Sequence, residues 1–345
     1  MLTGMCLLRQ PLRHCLELWA YVTILTIMKK LQLLTMCLVL SVASFAGGYI
    51  IKGTKQPTSV SNMDQVRQFP LLAKRLFLED PNDTIINFSA LREELKGYMS
   101  KNSLKGSLYF ECLPTGTSVR IDGDDEQVAA SLMKIPVVME LYKAAELGRI
   151  DLDSTIALKQ EWLDPAYGEL YKQGVGYRLT LREAAKLALT KSDNTAISAI
   201  LYTTQNILKV EENVISSLDV AFERDEKLLL SISARSYASF LKCLYFSCYV
   251  NNADSQQILG YLTESTFNNR LRSNIPESVK IAHKIGTYSN LTQSDCGIVY
   301  EDKRNYLLCI MLRVPDNPTG NAHIAALSKL AYDYIKISEP SVRVK

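Results

Sequence analysis

Ser131 and Lys134 have the residue types and the spacing of an activated serine nucleophile. They stand three positions apart, and the apolar residues that follow recur at helical spacing. Residues three apart lie one turn apart on the same helix face, so the Lys134 amine can reach the Ser131 hydroxyl. Pro136 is tolerated only in a first helical turn, which places Ser131 at a helix N-terminus, where the dipole favours a developing anion. The pair predicts covalent catalysis that begins at a serine and needs no histidine.

Two further short strings could complete such a site. Ser192-Asp193-Asn194 offers a hydroxyl and a carboxamide, and Lys284-Ile285-Gly286-Thr287 offers a second amine. One string alone carries little information, because a chain of this length holds about one or two S-x-x-K strings by chance. A second S-x-x-K string, Ser239-Phe240-Leu241-Lys242, follows the S-D-N string and lies in an apolar stretch typical of a packed helix. This context makes Ser239 the weaker candidate for a nucleophile.

Taken in this order, the strings resemble the S-x-x-K, S-D-N and K-T-G elements of penicillin-binding proteins and class A β-lactamases. The resemblance implies that Ser131 is the nucleophile and that Lys134 activates it. Burial and the charge of Lys284 would lower the pKa of the Lys134 amine. Ser192 would relay a proton to the leaving nitrogen, and Asn194 would hold a substrate amide.

The resemblance also implies an oxyanion hole on the strand that carries the third string. The backbone N–H groups of Ser131 and Thr287 would form it, and Gly286 would let the strand approach closely. Ile285 departs from the family pattern, which has a hydroxyl residue at that position to bind the substrate carboxylate. Thr287 or Tyr288 could substitute for the missing hydroxyl.

A second departure concerns hydrolysis of the acyl-enzyme. Class A enzymes carry an E-x-x-L-N string between the second and third elements, and this sequence has none there. Several carboxylates do lie in the interval, none of them in that context: Glu211, Glu212, Glu223, Asp225 and Glu226.

The pattern of elements predicts strands at both ends of the domain with helices between them. The expected strands are 106–113, 117–121, 279–287, 295–301 and 306–314. The expected helices are 89–99 (capped by Ser89), one that begins close to Ser131 and ends at Leu147-Gly148, 181–190, 195–204, 210–218, 234–249 and 322–337. This arrangement favours an α+β fold in which helices flank an antiparallel sheet and a separate all-helical subdomain is inserted. The resemblance makes it a β-lactamase/transpeptidase-like fold over residues 89–338, preceded by a linker at 52–88.

The N-terminal region predicts export. Residues 31–51 form an uncharged, mostly apolar run long enough to cross a bilayer, and Lys29 and Lys30 stand before it. We interpret residues 28–51 as a signal peptide, with Ser44-Phe45-Ala46 as a cleavage site, or as an inner-membrane anchor. Either reading makes the domain extracytoplasmic. Residues 1–27 are an extension of uncertain status: an upstream start that is not used, or a second membrane segment.

Composition excludes several other classes. The formal net charge is +3, and basic residues do not cluster with aromatics, so nucleic-acid binding has no support. The three histidines show no ligand spacing, and neither a metal nor another cofactor is expected. Beyond the leader, five cysteines follow no C-x-x-C pattern, and Cys296 with Cys309 is the pair best placed for a disulfide on adjacent strands.

The sequence is compatible with three functions. The first is an exported serine acyl-hydrolase that acts on the D-alanyl peptides of peptidoglycan. The second is a β-lactamase of the same fold, with β-lactams as its substrates. The third is a non-catalytic cell-envelope protein that keeps the fold and binds peptide or glycan.

Overall fold

One strand from near the start of the domain and one from near its end form the centre of its main sheet. The computed structural model describes residues 68, 70–71, 87–224, 229–289 and 291–338, which belong to a compact unit spanning Asn62–Lys345. The strands of the described residues are β1 (Gly106–Cys112), β2 (Thr117–Ile121), β3 (Glu126–Val128), β4 (Thr155–Ala157), β5 (Arg178–Thr180), β6 (Glu223–Arg224), β7 (Leu230–Ser233), β8 (Lys280–Tyr288), β9 (Thr292–Tyr300) and β10 (Tyr306–Leu312). The helices are α1 (Ser89–Lys101), α2 (Lys134–Glu146), α3 (Leu181–Thr190), α4 (Asn194–Thr204), α5 (Ala234–Phe246), α6 (Asn252–Thr263) and α7 (Pro318–Ile337).

The main sheet has five antiparallel strands in the order β2-β1-β10-β9-β8. Strands β1 and β10 are buried along their whole length, as expected for strands at the centre of a sheet covered on both faces. One face packs against α1 and α7, and the other packs against the helical subdomain. Strand β8 lies at the sheet edge and packs against α6 and the turn Ala130–Met133.

Helix α2 is the centre of the helical subdomain. Nearly all of its residues are buried, which is typical of a helix surrounded on every side by other elements. Helices α3 to α6 pack around it. The predicted α+β fold with an inserted helical subdomain is therefore confirmed.

Most predicted elements are present, and the differences have local causes. Ser89 begins α1 but does not cap it; its N–H donates to the Asn87 side chain at 3.1 Å. The predicted helix at 210–218 is confirmed over 211–217, although its first part, Glu211–Ile215, is π-helical. Strand β9 begins three residues earlier than predicted because its hairpin with β8 stays paired as far as Thr292.

Helix α6 and one disulfide were not predicted. The Asn251 side chain caps α6 by accepting a hydrogen bond from the Asp254 N–H, a start pattern that the sequence does contain. The Cys296–Cys309 disulfide joins β9 to β10 as expected. A second disulfide links Cys243 to Cys248.

The N-terminal predictions, 1–27 and 28–51, fall outside the described residues, as does most of the 52–88 linker. Within the part of the chain that is described, no helix combines the length and the hydropathy needed to cross a membrane.

Candidate active site

Ser131 lies in a tight turn at the N-terminal end of α2. The turn is a 3₁₀ helix, Ala130–Met133, that leads directly into α2. Ala130 has φ +45°, a left-handed conformation that costs energy in a residue with a side chain. The buried Tyr237 hydroxyl supports the turn by donating to the Leu132 carbonyl oxygen at 3.0 Å. Ser131 itself is half-buried, so the predicted nucleophile stands at the predicted helix terminus and is accessible.

Strand β8 approaches this turn so closely that only glycine fits at position 286. A Cβ atom on Gly286 would lie 2.9 Å from both the Ala129 carbonyl oxygen and the Leu132 Cγ atom. These contacts are shorter than real Cβ atoms show, and one of them is to backbone. The prediction that Gly286 allows close approach of the strand is consistent with this geometry.

Replacing Gly286 with alanine is therefore expected to separate β8 from the Ser131 turn. We expect the free energy of unfolding to fall by about 1–3 kcal/mol, as for other overpacked sites. Gly260→Ala is the matched control, because a Cβ there meets nothing within 4 Å in the middle of α6, and it should be neutral or stabilising. Urea denaturation of both variants checks the prediction; equal stability of the two would contradict the close approach.

Two buried lysine amines converge on Ser192. The Lys284 Nζ donates to Ser192 Oγ at 2.7 Å, and the Lys134 Nζ lies 3.3 Å from the same oxygen. Lys134 also donates to the Ser192 carbonyl oxygen at 2.5 Å and to Asn194 Oδ1 at 2.7 Å. The fold thus brings the three predicted strings together at one point.

The expected hydrogen bond between Lys134 and Ser131 Oγ is not formed. All three N–H donors of the Lys134 ammonium are directed at Ser192 and Asn194, and no side-chain hydrogen bond of Ser131 occurs within the described residues. Catalytic contacts often tighten only when substrate is bound, so this geometry does not exclude Lys134 as the base.

The pKa values of both amines are lowered. Burial lowers the pKa of Lys134 to about 8, and the charges of Asp193 and Asp164 oppose this shift. Burial, and then the charge of Lys134, hold the pKa of Lys284 well below its usual value. The predicted lowering for Lys134 is present, but its main cause is burial. With a pKa of about 8, about one Lys134 amine in ten is neutral at pH 7, against about one in a few thousand for an ordinary lysine.

Asp193 has a structural role beside these groups. Its carboxylate caps α4 by accepting from the Ala196 N–H at 2.9 Å, and it also accepts from the N–H groups of Glu169 and Leu170. The neighbouring Gly168 has φ +85°, and a Cβ there would collide with Asp193. Asp193 therefore fixes both the S-D-N turn, where Ser192 has φ +51°, and the loop that faces it.

The Asn194 carboxamide bridges Lys134 and a carboxylate that sequence reasoning did not single out. Its Oδ1 accepts from Lys134, and its Nδ2 donates to Asp164 Oδ2 at 3.1 Å. Asp164 lies before the S-D-N string in the sequence, whereas all the carboxylates that the sequence predicts as candidates lie after that string. Nothing in the sequence around Asp164 distinguishes it from an ordinary loop residue.

Arg270 is a second residue that the sequence did not reveal. It is 2 % exposed, and its guanidinium donates to Thr287 Oγ1 at 2.9 Å and to the Gly286 carbonyl oxygen at 3.0 Å. A buried cation thus stands behind the third string. Ile285 is buried, and the hydroxyl that this strand offers beside the lysine is that of Thr287.

The carboxylates considered as deacylation bases lie away from the lysines. Glu211 pairs with Arg224, and Glu212 pairs with Lys209 at 3.0 Å. Glu223 is exposed on β6. None of these three forms a described contact with Lys134, Lys284 or Ser192; Asp225 and Glu226 lie outside the described residues.

The chain is similar to known proteins in both sequence family and fold. The sequence model of the Beta-lactamase enzyme family matches residues 90–335. No curated protein matches the chain. Among solved structures, a point variant of PBP-A, determined as its acyl-enzyme complex with penicillin G, has a TM-score of 0.66 and 23% identity, covering 72% of this chain and 97% of that chain.

Two bacterial β-lactamases show the same fold. The β-lactamase from Sphaerobacter thermophilus has a TM-score of 0.66 and 21% identity, covering 74% of this chain and 100% of its own. The β-lactamase from Chitinophaga pinensis has a TM-score of 0.64 and 21% identity, covering 71% and 99%. The family match extends over most of the domain. The chain belongs to the Beta-lactamase enzyme family and has the fold of its serine hydrolases.

Proposed function

We propose that this protein is an exported serine acyl-hydrolase that forms a covalent acyl-enzyme on Ser131 and acts on the D-alanyl peptides of peptidoglycan. β-Lactams would react at the same serine. The observation that carries the proposal is the pair of buried amines on either side of Ser192 Oγ, next to the Ser131 turn. Two buried amines of lowered pKa are expensive to maintain and are typical of a site that moves protons.

In the proposed reaction the Ser131 Oγ attacks the carbonyl carbon of the scissile amide. Its proton passes to the neutral Lys134 amine, and the N–H groups of Ser131 and Thr287 stabilise the oxyanion. Ser192 then gives its proton to the leaving nitrogen and is reprotonated from the adjacent lysines. Water finally hydrolyses the Ser131 ester and releases the acid.

Substrate carboxylate recognition would fall to Thr287. The family's hydroxyl residue after the lysine is replaced by the buried Ile285, so Thr287 is the nearest hydroxyl on β8. Its oxygen accepts from Arg270, which also pairs with Asp316 at 3.1 Å. Its hydroxyl donates to Gln293 Oε1 at 3.0 Å, and this bond would be exchanged for one to the substrate carboxylate.

The absence of a described carboxylate partner for Lys134 in the 205–224 segment favours a peptidase over an efficient β-lactamase. The base that assists hydrolysis in class A enzymes has no counterpart there. The alternative of a non-catalytic envelope protein is favoured by Ile285 alone, and the lysine arrangement argues against it.

Covalent labelling tests the proposal. The purified protein is incubated with a fluorescent penicillin and then denatured on a gel. We expect a labelled band that excess unlabelled penicillin G prevents. Absence of labelling would contradict the proposal and favour the non-catalytic alternative.

The rate of labelling is expected to rise with pH through a midpoint of about 8. The reason is that burial lowers the pKa of Lys134 to about 8 and only its neutral amine can accept the Ser131 proton. Stopped-flow acylation rates across the pH range check this. Lys134→Arg should be nearly inactive at every pH, because arginine stays protonated. A rate that does not change between about pH 6 and 9 would argue against Lys134 as the base.

The proposed location is outside the cytoplasm, with the N-terminal segment in the inner membrane or cleaved during export. The support is the charge pattern of Lys29 and Lys30 before the apolar run at 31–51. A phosphatase reporter that is active only outside the inner membrane, fused after Lys345, should be active. Activity should be lost when residues 28–51 are deleted. A cytoplasmic reporter that is active in the same fusion would refute the location.

A further inference from the structure

A cavity of about 450 Å³ lies at the end of strand β8, beside strand β3. Tyr288 and Leu291 from the β8–β9 hairpin, together with Val314 beyond β10, give it an apolar wall. Strand β3 contributes Glu126 and Gln127 to the same wall. None of the serines and lysines assigned to the reaction lines this space, so the cavity is separate from the candidate active site.

Two buried oxygen atoms of the cavity wall have no hydrogen-bond donor within the described residues. They are Glu126 Oε2 and Gln127 Oε1. Gln127 is 4 % exposed, and its amide nitrogen donates to the Met311 carbonyl oxygen at 3.1 Å, which leaves the amide oxygen as the unused end. Buried acceptors without donors are rare, because each has lost its hydrogen bonds to water. A ligand that brings donors into the cavity would remove this cost.

The Glu126 carboxylate also lacks a compensating positive charge. Burial, and then the charge of Glu223, raise the pKa of this carboxyl group, and a hydrogen bond from the Glu223 N–H only opposes the shift. Arg313 is the single cation among the described residues of the wall, and both of its terminal nitrogens donate to Asp125 at 2.7 Å. The charge of Arg313 is therefore already paired, and that of Glu126 is not.

We propose that this cavity binds an organic ammonium group attached to an apolar body. The ammonium N–H groups would donate to Glu126 Oε2 and Gln127 Oε1, and the body would lie against Tyr288 and Leu291. An ammonium group has only donors, so it matches a set of acceptors, whereas an anion or a carbonyl group would leave them unpaired. A metal ion fits less well, since no cluster of three or more histidine, cysteine or acidic side chains occurs in the described part of the chain.

The amine has two possible sources, a separate small molecule or the side chain of an acyl donor. The cavity begins at Tyr288, directly after Thr287, whose N–H is proposed to bind the oxyanion. Ser192, the proposed donor to the leaving nitrogen, contacts Lys284 at the other end of this segment of β8. The acyl side of a substrate would therefore point toward Tyr288, and a long side chain could reach the cavity. The existence of the site does not depend on the proposed function.

Direct binding is the first test. The purified protein is titrated with para-fluorobenzylamine, and with para-fluorobenzyl alcohol as the uncharged probe of the same shape, and fluorine NMR reports both affinities. We expect the amine to bind the wild-type protein at least about tenfold more tightly than the alcohol, the size of one hydrogen bond to a charged group. Glu126→Gln keeps the shape and removes the charge, and should weaken binding of the amine alone about tenfold. Glu94→Gln, at an exposed carboxylate on α1, is the matched control and should bind like the wild type.

Equal affinities of the wild-type protein for the two probes would overturn the proposal, whether or not the Glu126 variant folds. An affinity for the amine that is the same in wild type and in folded Glu126→Gln would place the ammonium group elsewhere, and would overturn it as well.

Peptide cleavage then identifies the source of the amine. N-acetyl-L-lysyl-D-alanyl-D-alanine is compared with its side-chain-acetylated form, which lacks the charge. If the acyl donor supplies the amine, the ratio of the two kcat/KM values should fall about tenfold in Glu126→Gln. A wild-type ratio in this variant, with binding of para-fluorobenzylamine lost, would assign the cavity to a separate amine. A protein that binds the probe and cleaves neither peptide would contradict the proposed function and support the ammonium site.

Discussion

Replacing Ser131 with alanine is expected to abolish covalent labelling by penicillin completely. The substitution removes the proposed nucleophile, whose hydroxyl forms the ester with the acyl group. The half-buried side chain makes no hydrogen bond within the described residues, so its loss should leave the fold unchanged. Gel fluorescence and thermal unfolding, measured on the same sample, separate the loss of reaction from a loss of structure.

Ser239→Ala is the control for that result. Ser239 belongs to the second S-x-x-K string, but the structure places it inside α5, a helix that packs against β1 and β10 of the main sheet. The variant should be labelled at the wild-type rate. Labelling that survives Ser131→Ala and disappears in Ser239→Ala would reverse the assignment of the two strings.

The acyl-enzyme is expected to be long-lived. A positioned general base typically accelerates a step by about 10²–10⁴-fold, and none of the described carboxylates between α4 and β7 contacts Lys134. We therefore expect hydrolysis of a penicilloyl-Ser131 ester to be slower by about that factor than in an enzyme that has such a base. A burst of one equivalent with a chromogenic cephalosporin, followed by a slow steady state, is the measurable result.

A shortened loop could still provide a base from another direction. Glu223 lies on β6, and Glu226 follows it outside the described residues. Rapid multiple turnovers that vanish in Glu223→Gln or Glu226→Gln would show that one of them activates the water. Such a result would make the protein a β-lactamase rather than a peptidase.

The nucleophile and the two lysines could be predicted because each belongs to a short sequence motif. Ser131 and Lys134 are neighbours on one helix, and Pro136 marks where that helix begins. The same is true of β10, whose apolar run Tyr306–Leu312 is continuous. Ordered local patterns of this kind need no knowledge of the tertiary structure.

Asp164 and Arg270 could not be predicted in that way. Each acts on a residue far away in sequence: Asp164 on Asn194, and Arg270 on Thr287. Neither stands in a motif, and their types are common on protein surfaces. Their roles follow only from the folding of loops against the S-D-N turn and strand β8.

The short π-helix shows a different limit. Its sequence has the apolar spacing of an ordinary helix, and the prediction at 210–218 followed from that spacing. In the structure Asn213 donates to the buried Glu140 of α2 at 2.6 Å, and the Tyr249 hydroxyl donates to the same carboxylate. We infer that this polar anchor to α2 favours the π-helical form in the first part of the predicted helix.

The site of acylation on the chain tests the central claim most directly. Trypsin cleaves after Arg120 and Lys134 to give the peptide 121–134, in which Ser131 is the only hydroxyl residue. Ser192 falls in a separate peptide, 192–209. After reaction with penicillin G and digestion, mass spectrometry should place the whole adduct on peptide 121–134, with peptide 192–209 unmodified. An adduct on peptide 192–209, or on any peptide other than 121–134, would contradict the assignment of Ser131 as the nucleophile.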